Sequence, residues 1–346
     1  MALDTSQHPD KRDFKERFLT KYNEWHQQAP QEKKQEVKEE EDRLETKPAP
    51  PKHEIYGFDN EIKSLENFLL DQKVYKEFKS LVIVGEYGVG KTALCQKIFN
   101  KEQVKSVYAP RIWVSMHSKD AREGEDKKIS VLKRLLKDLG VGDEMFESIH
   151  EEAKQELSTE MERGGAGGET VEEKERSALL YALHLNLRWK KYLIVFDDVR
   201  EEDKWDEKLD EKLKEDVKWG KHLSDGFPKG SGGRVIYTTR DKTVAEKLVA
   251  ERHEIHRLWS LSDHKNVWDI YQAVVDEKGK EPPRNDKKCI DELMNKSRGL
   301  PLAVRLIAEL DPVFLDDENV AAQDGSNNGT TEESHNPADQ SNQSNP

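Results

Sequence analysis

The chain has 346 residues, of which 37% are charged and 34% are hydrophobic, and its formal net charge at pH 7 is -13. This length allows one large or two modest domains with tails, and the high charge predicts that much of the chain is solvated. The negative balance argues against non-specific binding to nucleic acid, whose phosphates attract a basic surface. From Asp311 onward there are eight acidic residues and no Lys or Arg, so the rest of the chain carries only -5.

Two cysteines, Cys95 and Cys289, lie far apart in the sequence and in no metal-ligand spacing. This usage fits a reducing compartment and excludes a disulfide scaffold. The N-terminal stretch MALDTSQHPDKRDF lacks the apolar region of a secretion signal, and no apolar run approaches the roughly 20 residues that a membrane span requires. We therefore expect a soluble protein of the cytoplasm, with the nucleus as a further compartment.

Residues 1–46 are predicted to form a charged helical segment, and residues 47–54 a linker. Phe14, Phe18 and Tyr22 recur at four-residue spacing among charged residues, which is typical of a helix with one narrow apolar stripe. The stretch KPAPPKH ends this pattern, because proline cannot continue a helix.

Strand-like apolar runs alternate with helical patterns over residues 55–260. The runs are LVIV at 81–84, RIWVSM at 111–116, YLIVFD at 192–197, RVIYTT at 234–239 and EIHRL at 254–258. Continuous apolar runs separated by helices are typical of a parallel sheet that is covered on both faces. We predict a doubly wound α/β domain here, interrupted by a flexible charged insertion at 140–176 that contains GGAGG amid Glu and Lys.

A glycine-rich stretch, GEYGVGKT at residues 85–92, stands between the apolar run LVIV and the helical pattern ALCQKIF. Its Gly85, Gly90, Lys91 and Thr92 match the phosphate-binding loop in spacing and in context. The glycines would let backbone N–H groups wrap a phosphate, and the following helix would add positive potential at its N-terminus. The alternative is a glycine turn that ends a strand beside an exposed lysine.

This loop predicts a nucleotide site with Mg2+. Lys91 is expected to reach the terminal phosphates as a flexible point charge, and the Thr92 hydroxyl to ligate magnesium. Gly88 and Ala93 are expected to contact the nucleotide as well.

The run LIVFDDV at residues 193–199 predicts a buried strand that ends in two carboxylates. Asp197 is expected to hold magnesium, usually through water, and Asp198 to orient or activate the attacking water. Two solvated aspartates at a strand end are the alternative. The phosphate loop upstream favours the functional interpretation.

The run GSGGRVIYTTR at residues 230–240 predicts a further strand that ends near Arg240. Ligands of parallel sheets bind at the carboxyl ends of the strands, so Arg240 is expected to point toward the phosphate site. There it would contact the terminal phosphate through charge-assisted hydrogen bonds. An ordinary surface arginine is the alternative.

Helical patterns dominate residues 261–312 and predict a small all-α subdomain. Residues 313–346 are rich in Asn, Ser, Asp, Gln and Gly, a composition too polar to offset the entropy lost on ordering. We therefore predict a disordered acidic and polar tail.

Taken in chain order, these motifs resemble the NB-ARC nucleotide-binding module of plant disease-resistance proteins, a group of signal-transducing NTPases that also includes animal apoptosome scaffolds. The match runs through IYGFDNEIKSLENFLL, VGEYGVGKTALCQKIFN, PRIWVSMHS, LIVFDDV, GGRVIYTTR, HRLWSLSDHKNVWDIYQ and GLPLA. The resemblance implies ATP and ADP binding, a P-loop NTPase sheet of five parallel strands in the order 2-3-4-1-5, and an ARC1-like helical subdomain whose Pro301 packs against the nucleotide. Alternatively, GLPLA simply ends one helix and starts another.

Several positions depart from the family pattern. Phe58 follows Gly57 where the family often has an arginine, and Glu86 and Tyr87 stand where small residues are usual. Only 43 residues follow Ala303, so the family's winged-helix subdomain and leucine-rich repeats have no counterpart. The resemblance therefore implies a truncated form.

The function implied by the resemblance is an ADP/ATP-binding switch of the plant immune-receptor type, with at most slow Mg-dependent ATP hydrolysis. The alternatives are a non-catalytic interaction or decoy protein that keeps the fold, and an AAA-type ATPase. The TTR and GLPLA motifs favour the switch over the AAA-type enzyme, whereas the missing C-terminal half favours the interaction protein. Partners such as other immune receptors or signalling proteins are expected to bind the N-terminal helix.

Overall fold

The computed structural model describes residues 44–71, 77–118, 125–162, 169–210, 220–249, 251–279 and 286–310. The predicted N-terminal helical segment up to residue 43 and the predicted tail at 313–346 lie outside these ranges, so both stay predictions.

Five parallel strands form one sheet in the order β2-β3-β4-β1-β5. They are β1 (Lys79–Val84), β2 (Arg111–Ser115), β3 (Leu193–Asp197), β4 (Arg234–Thr239) and β5 (Ile255–Arg257). All five predicted runs are strands, and every residue of β3 and β4 is buried. Burial on both faces explains why these strands are continuous rather than alternating apolar runs. The predicted α/β fold and its strand order are confirmed.

Helices cover both faces of the sheet. In the described ranges they are α1 (Asp59–Leu70), α2 (Lys91–Phe99), α3 (Glu102–Val107), α4 (Lys127–Asp138), α5 (Asp143–Glu162), α6 (Val171–Leu187), α7 (Lys242–Leu248), α8 (His264–Glu277), α9 (Lys287–Ser297) and α10 (Pro301–Glu309). Val82 and Val84 of β1 join the apolar cluster of α4, α6 and α7, whereas Ile83 joins that of α1, α2 and α8. Successive strand residues point to opposite faces, so the protein has one core on each side of the sheet.

The region 140–176, predicted as a flexible charged insertion, lies within the described ranges except for residues 163–168, which contain the GGAGG stretch. Its described residues form α5 and the first turns of α6, and Phe146 and Ala153 of α5 are buried. The buried Glu175 carboxylate of α6 contacts His150 of α5 at 2.7 Å. The apolar residues of α5 are few and lie among charged residues, so the composition of this region did not indicate an amphipathic helix.

Helices α8, α9 and α10 follow the last strand and pack on the same side of the sheet as α2. The turn between α9 and α10 brings the chain back against the segment after β5, where the Leu261 N–H donates to the Gly299 carbonyl at 2.8 Å. A Cβ at Gly299 would lie 1.9 Å from the Leu261 carbonyl oxygen, and its φ is +68°. Glycine is therefore required for this close approach.

Candidate nucleotide-binding site

The glycine-rich loop joins β1 to α2 at the carboxyl end of the sheet. The Gly85 N–H donates to the carbonyl of Thr239 at 3.3 Å, and the Leu258 N–H donates to the carbonyl of Val84 at 2.8 Å. A Cβ at Gly85 would lie 2.6 Å from the Leu258 carbonyl oxygen. The loop thus leaves the sheet between the segments at Thr239 and Leu258, and the space at Gly85 is too small for a side chain.

Two further glycines give the loop its curvature. Gly88 and Gly90 have φ values of +80° and +107°, in the left-handed region that glycine adopts without strain. The Leu302 N–H of α10 donates to the Gly88 carbonyl at 3.1 Å, so the loop is tied to the last helix. Next to Gly90, an added Cβ would meet nothing closer than a ring carbon of Phe58 at 3.9 Å.

The N-terminus of α2 is open to an anion. The helix begins at Lys91, and its capping residue Gly90 supplies no side-chain hydrogen bond to the first turn. The first N–H groups of a helix have no partner within the helix, and they bear partial positive charge. The open space at Gly90 and these N–H groups together fit a phosphate.

A cavity of about 410 Å3 lies at this loop. Every site residue predicted from the sequence except Gly85 lines it, namely Gly88, Gly90, Lys91, Thr92, Ala93, Asp197, Asp198, Arg240 and Pro301. The volume falls within the range of roughly 300 to 1,000 Å3 that is usual for small-molecule sites. The structure therefore brings together residues from the loop, from the ends of β3 and β4, and from α10.

Lys91 is held within its own loop. Its Nζ donates to the carbonyls of Gly85 at 2.8 Å and Glu86 at 2.9 Å. Burial of the side chain, followed by the nearby positive charge of Arg240, lowers the pKa of Lys91 to about 8. Phosphate oxygens entering the cavity would offer the ammonium group stronger, charged partners than these two carbonyls.

Asp197 lies fully buried at the end of β3, and its carboxylate accepts hydrogen bonds from the side chains of Thr92, Thr238 and Thr46. The Thr92 hydroxyl donates to its carboxylate oxygens at 3.0 and 3.1 Å, and the Thr238 hydroxyl donates at 2.6 Å. Burial raises the pKa of Asp197, which these hydrogen bonds partly offset. No group of three or more His, Cys, Asp or Glu residues that could hold a metal occurs in the described ranges. A Mg2+ ion here would therefore depend on Thr92, Asp197, phosphate oxygens and water, which is the oxygen-ligand set it prefers.

Asp198 lies between two arginines. Its carboxylate accepts hydrogen bonds from Arg200 Nε at 3.2 Å and Nη2 at 3.1 Å, and it lies 3.4 Å from Arg240 Nε. Its backbone has a φ of +63°, and its N–H donates to the Thr238 hydroxyl at 2.8 Å. Sequence reasoning missed the part played by Arg200, although its position two residues after Asp198 was a usable signal.

Arg240 lines the same cavity as the glycine-rich loop, and its partners there were not predicted from the sequence. Its guanidinium carbon lies 4.4 Å from the ring centroid of Tyr87, within the glycine-rich loop. One side of this guanidinium thus meets an aromatic ring, and its Nε faces Asp198.

Residues 44–48, which overlap the predicted linker, lie fixed against the sheet. The Thr46 N–H donates to the Ser115 hydroxyl at 3.1 Å, and the Trp113 indole N–H donates to the Thr46 hydroxyl at 3.0 Å. Side chains at the end of α2 hold the next two residues. Gln96 of α2 donates to the Lys47 carbonyl at 2.8 Å, and Asn100, which directly follows α2, donates to the Pro48 carbonyl at 2.7 Å. Leu44, Thr46 and much of the chain from Pro51 to Tyr56 line the cavity.

Within the described part of the chain, no helix is both long enough and apolar enough to cross a membrane.

Comparison with known proteins identifies the family. The family model of the NB-ARC domain matches residues 58–281. "Probable disease resistance protein At5g45440" of Arabidopsis thaliana is 64% identical over 325 residues, which cover 94% of this chain and 92% of that protein. "Probable disease resistance protein At5g45490" of the same plant is 67% identical over 310 residues, covering 88% of this chain and 87% of that protein.

A longer relative aligns with the same region. "Disease resistance protein RPP13" of Arabidopsis thaliana is 30% identical over 258 residues, covering 74% of this chain but only 25% of that protein. The family match at 58–281 includes the whole sheet, the glycine-rich loop and α8. The chain therefore belongs to the NB-ARC family, whose P-loop fold it shows, and nucleotide binding follows from that membership.

Proposed function

We propose that this protein is an ADP/ATP-binding molecular switch of the plant immune-receptor type, with at most slow Mg-dependent ATP hydrolysis. The observation that carries the proposal is the convergence of Lys91, Asp197 and Arg240 on one cavity at the carboxyl end of the sheet. Support also comes from the relatives, which are named as probable disease resistance proteins.

Each side chain has a role that follows from its position. Lys91 and the first N–H groups of α2 bind phosphate oxygens, and Pro301 of α10 packs against the nucleotide. Thr92 and Asp197 hold a Mg2+ ion, which when bound neutralises charge on the terminal phosphates. Arg240 contacts the terminal phosphate that distinguishes ATP from ADP.

Slow turnover is the expectation because of the partners of Asp198. The water that attacks a phosphate must hydrogen-bond to the carboxylate that activates it, and a carboxylate whose oxygens already contact arginines has less acceptor capacity left for that water. Asp198 faces both Arg200 and Arg240. A site so arranged fits a protein that retains its nucleotide better than one that cycles rapidly.

The proposed switch signals through protein partners. The chain spans 92% of one close relative but aligns with only a quarter of RPP13. The charged N-terminal segment is the proposed contact for other immune receptors or signalling proteins.

A non-catalytic interaction or decoy protein is the second candidate, and one observation favours it. The Asp198 carboxylate is engaged by arginines rather than open to a water molecule. Nucleotide occupancy separates the two candidates, since the switch requires a bound nucleotide and the decoy does not.

The test is to purify the full chain, denature it, and identify the released nucleotide by chromatography, with turnover measured in the presence of Mg2+. We expect the wild type to release ADP or ATP and Lys91→Ala to release neither, because the loop alone leaves phosphate charge poorly compensated. Lys97→Ala, on the same helix but outside the cavity, should behave as wild type. Absence of nucleotide binding in a folded wild type would favour the decoy. Turnover of about 1 per second or faster, as in working enzymes, would overturn the switch.

A further inference from the structure

Tyr87 stands in the glycine-rich loop at a position from which its ring reaches Arg240. Its ring lies against the Arg240 guanidinium at 4.4 Å, while 53% of the residue remains exposed. A guanidinium over an aromatic face is attracted by the negative charge of the ring face. Through Tyr87, the glycine-rich loop therefore contacts Arg240, the residue that we propose to bind the terminal phosphate.

The opposite contact of Arg240 is the Asp198 carboxylate. Arg240 Nε lies 3.4 Å from Asp198 Oδ1, and Arg200 donates to Asp198 Oδ2 through both Nε and Nη2. Asp198 is fixed by the bond from its N–H to the Thr238 hydroxyl. The carboxylate can thus stay paired with Arg200 when Arg240 moves away.

A terminal phosphate would compete with Asp198 for Arg240. A phosphate that draws the Arg240 guanidinium away from the Tyr87 ring and the Asp198 carboxylate breaks both contacts, so both would oppose ATP binding. An unpaired Asp198 would then repel the phosphate, because like charges close together are unfavourable. The two hydrogen bonds from Arg200 to Asp198 Oδ2 offset this repulsion.

We propose that Tyr87 and Arg200 set the preference of the site between ADP and ATP, and that they act in opposite directions. Tyr87 disfavours ATP by holding Arg240 against Asp198. Arg200 favours ATP by keeping Asp198 paired once Arg240 has turned to the phosphate. ADP lacks the terminal phosphate, so neither residue affects its binding. This inference rests on the proposed nucleotide-binding function.

The experiment measures dissociation constants of the full chain for ADP and for a non-hydrolysable ATP analogue, by calorimetry with Mg2+. Tyr87→Ala should lower the ratio of the ATP-analogue constant to the ADP constant by about threefold, which corresponds to the loss of an exposed cation–π contact. Arg200→Ala should raise the same ratio, by about tenfold, since a charge-assisted pair is lost. Tyr87→Phe, which keeps the ring, should leave the ratio at the wild-type value.

The outcomes distinguish this inference from the function on which it rests. If the folded wild type binds neither nucleotide, the proposed function fails and the inference fails with it. If both nucleotides bind but Tyr87→Ala changes their affinities equally, or not at all, Tyr87 sets no preference and only the inference is overturned. A fall of the ratio in Arg200→Ala would likewise overturn it. Circular dichroism of each variant verifies folding, which the exposed position of Tyr87 should leave intact.

Discussion

The Thr92 hydroxyl lies 3.0 Å from one carboxylate oxygen of Asp197 and 3.1 Å from the other, and so joins the start of α2 to the end of β3. This contact links the glycine-rich loop to a residue more than a hundred positions further along the chain. Both oxygen-bearing side chains line the cavity. The pair is therefore where the proposed Mg2+ dependence of nucleotide binding can be tested.

We predict that Thr92→Val removes most of the Mg2+ stimulation of nucleotide affinity. Valine has nearly the shape of threonine but no oxygen, so Asp197 loses a hydrogen-bond donor and the ion loses a ligand. The ADP dissociation constant measured with Mg2+ should rise by about tenfold or more, whereas the constant measured with a chelator should change little. Thr92→Ser keeps the hydroxyl and serves as the control. Undiminished Mg2+ stimulation in Thr92→Val would show that this hydroxyl binds no metal.

A second prediction concerns pH and Lys91. Its pKa is lowered to about 8 by burial and by Arg240, with Asp198 and Asp197 acting in the opposite direction. Bound phosphates favour the charged ammonium, so binding takes up a proton wherever Lys91 is neutral in the free protein. Nucleotide affinity should therefore be level below about pH 8 and should fall above it, by up to about tenfold per pH unit.

The measurement for this prediction is the ADP dissociation constant as a function of pH. In Lys91→Arg the guanidinium stays charged, so its affinity should not decline over the same range. Lys229, whose pKa is also lowered to about 8 by burial, lies outside the cavity lining. The affinity of Lys229→Gln should thus still decline above about pH 8. If the decline were absent in that variant, the titrating group would be Lys229 and not Lys91.

Gly299 is expected to be indispensable for stability. At this residue φ is +68° and an added Cβ would lie 1.9 Å from the Leu261 backbone oxygen. Gly299→Ala should lower the free energy of unfolding by about 3 kcal/mol or more, because backbone atoms would have to move. Gly140→Ala is the control, since φ is +90° there with nothing within 4 Å, and strain alone costs about 1 to 2 kcal/mol. Equal urea midpoints for the two variants would contradict this account.

The parts of the fold that could be predicted are those encoded by contiguous residues. Strand β3 is buried at every position, so its sequence is a continuous apolar run, and the phosphate loop is one local pattern within 85–92. Helix α5 was not predicted because its apolar residues are sparse. Glu175 of α6 is buried, although sequence composition alone predicts an exposed position for a glutamate.

Contacts between distant parts of the chain could not be predicted in the same way. The stacking of Tyr87 on Arg240 and the bond from Trp113 to Thr46 join separate segments, and no spacing rule connects such positions. Residues 44–48 are held largely through backbone N–H and carbonyl groups. Such contacts do not depend on residue type, so the sequence does not indicate them. The prolines at 48, 50 and 51 were interpreted as a linker, and that pattern gave no indication that residues 44–48 dock against the sheet.

The docked segment at residues 44–48 leads to the last prediction. Asn100, which directly follows α2, donates to the Pro48 carbonyl at 2.7 Å and lies outside the cavity lining, so it can be changed without altering a residue that lines the cavity. Asn100→Ala should loosen the segment, increase amide hydrogen exchange at residues 44–50, and speed nucleotide release by about fivefold, as expected for one net hydrogen bond. Exchange in the sheet should remain unchanged. Gln103→Ala, an exposed site on the neighbouring α3, is the control. Faster exchange at 44–50 with an unaltered release rate would show that this segment lines the cavity without retaining its ligand.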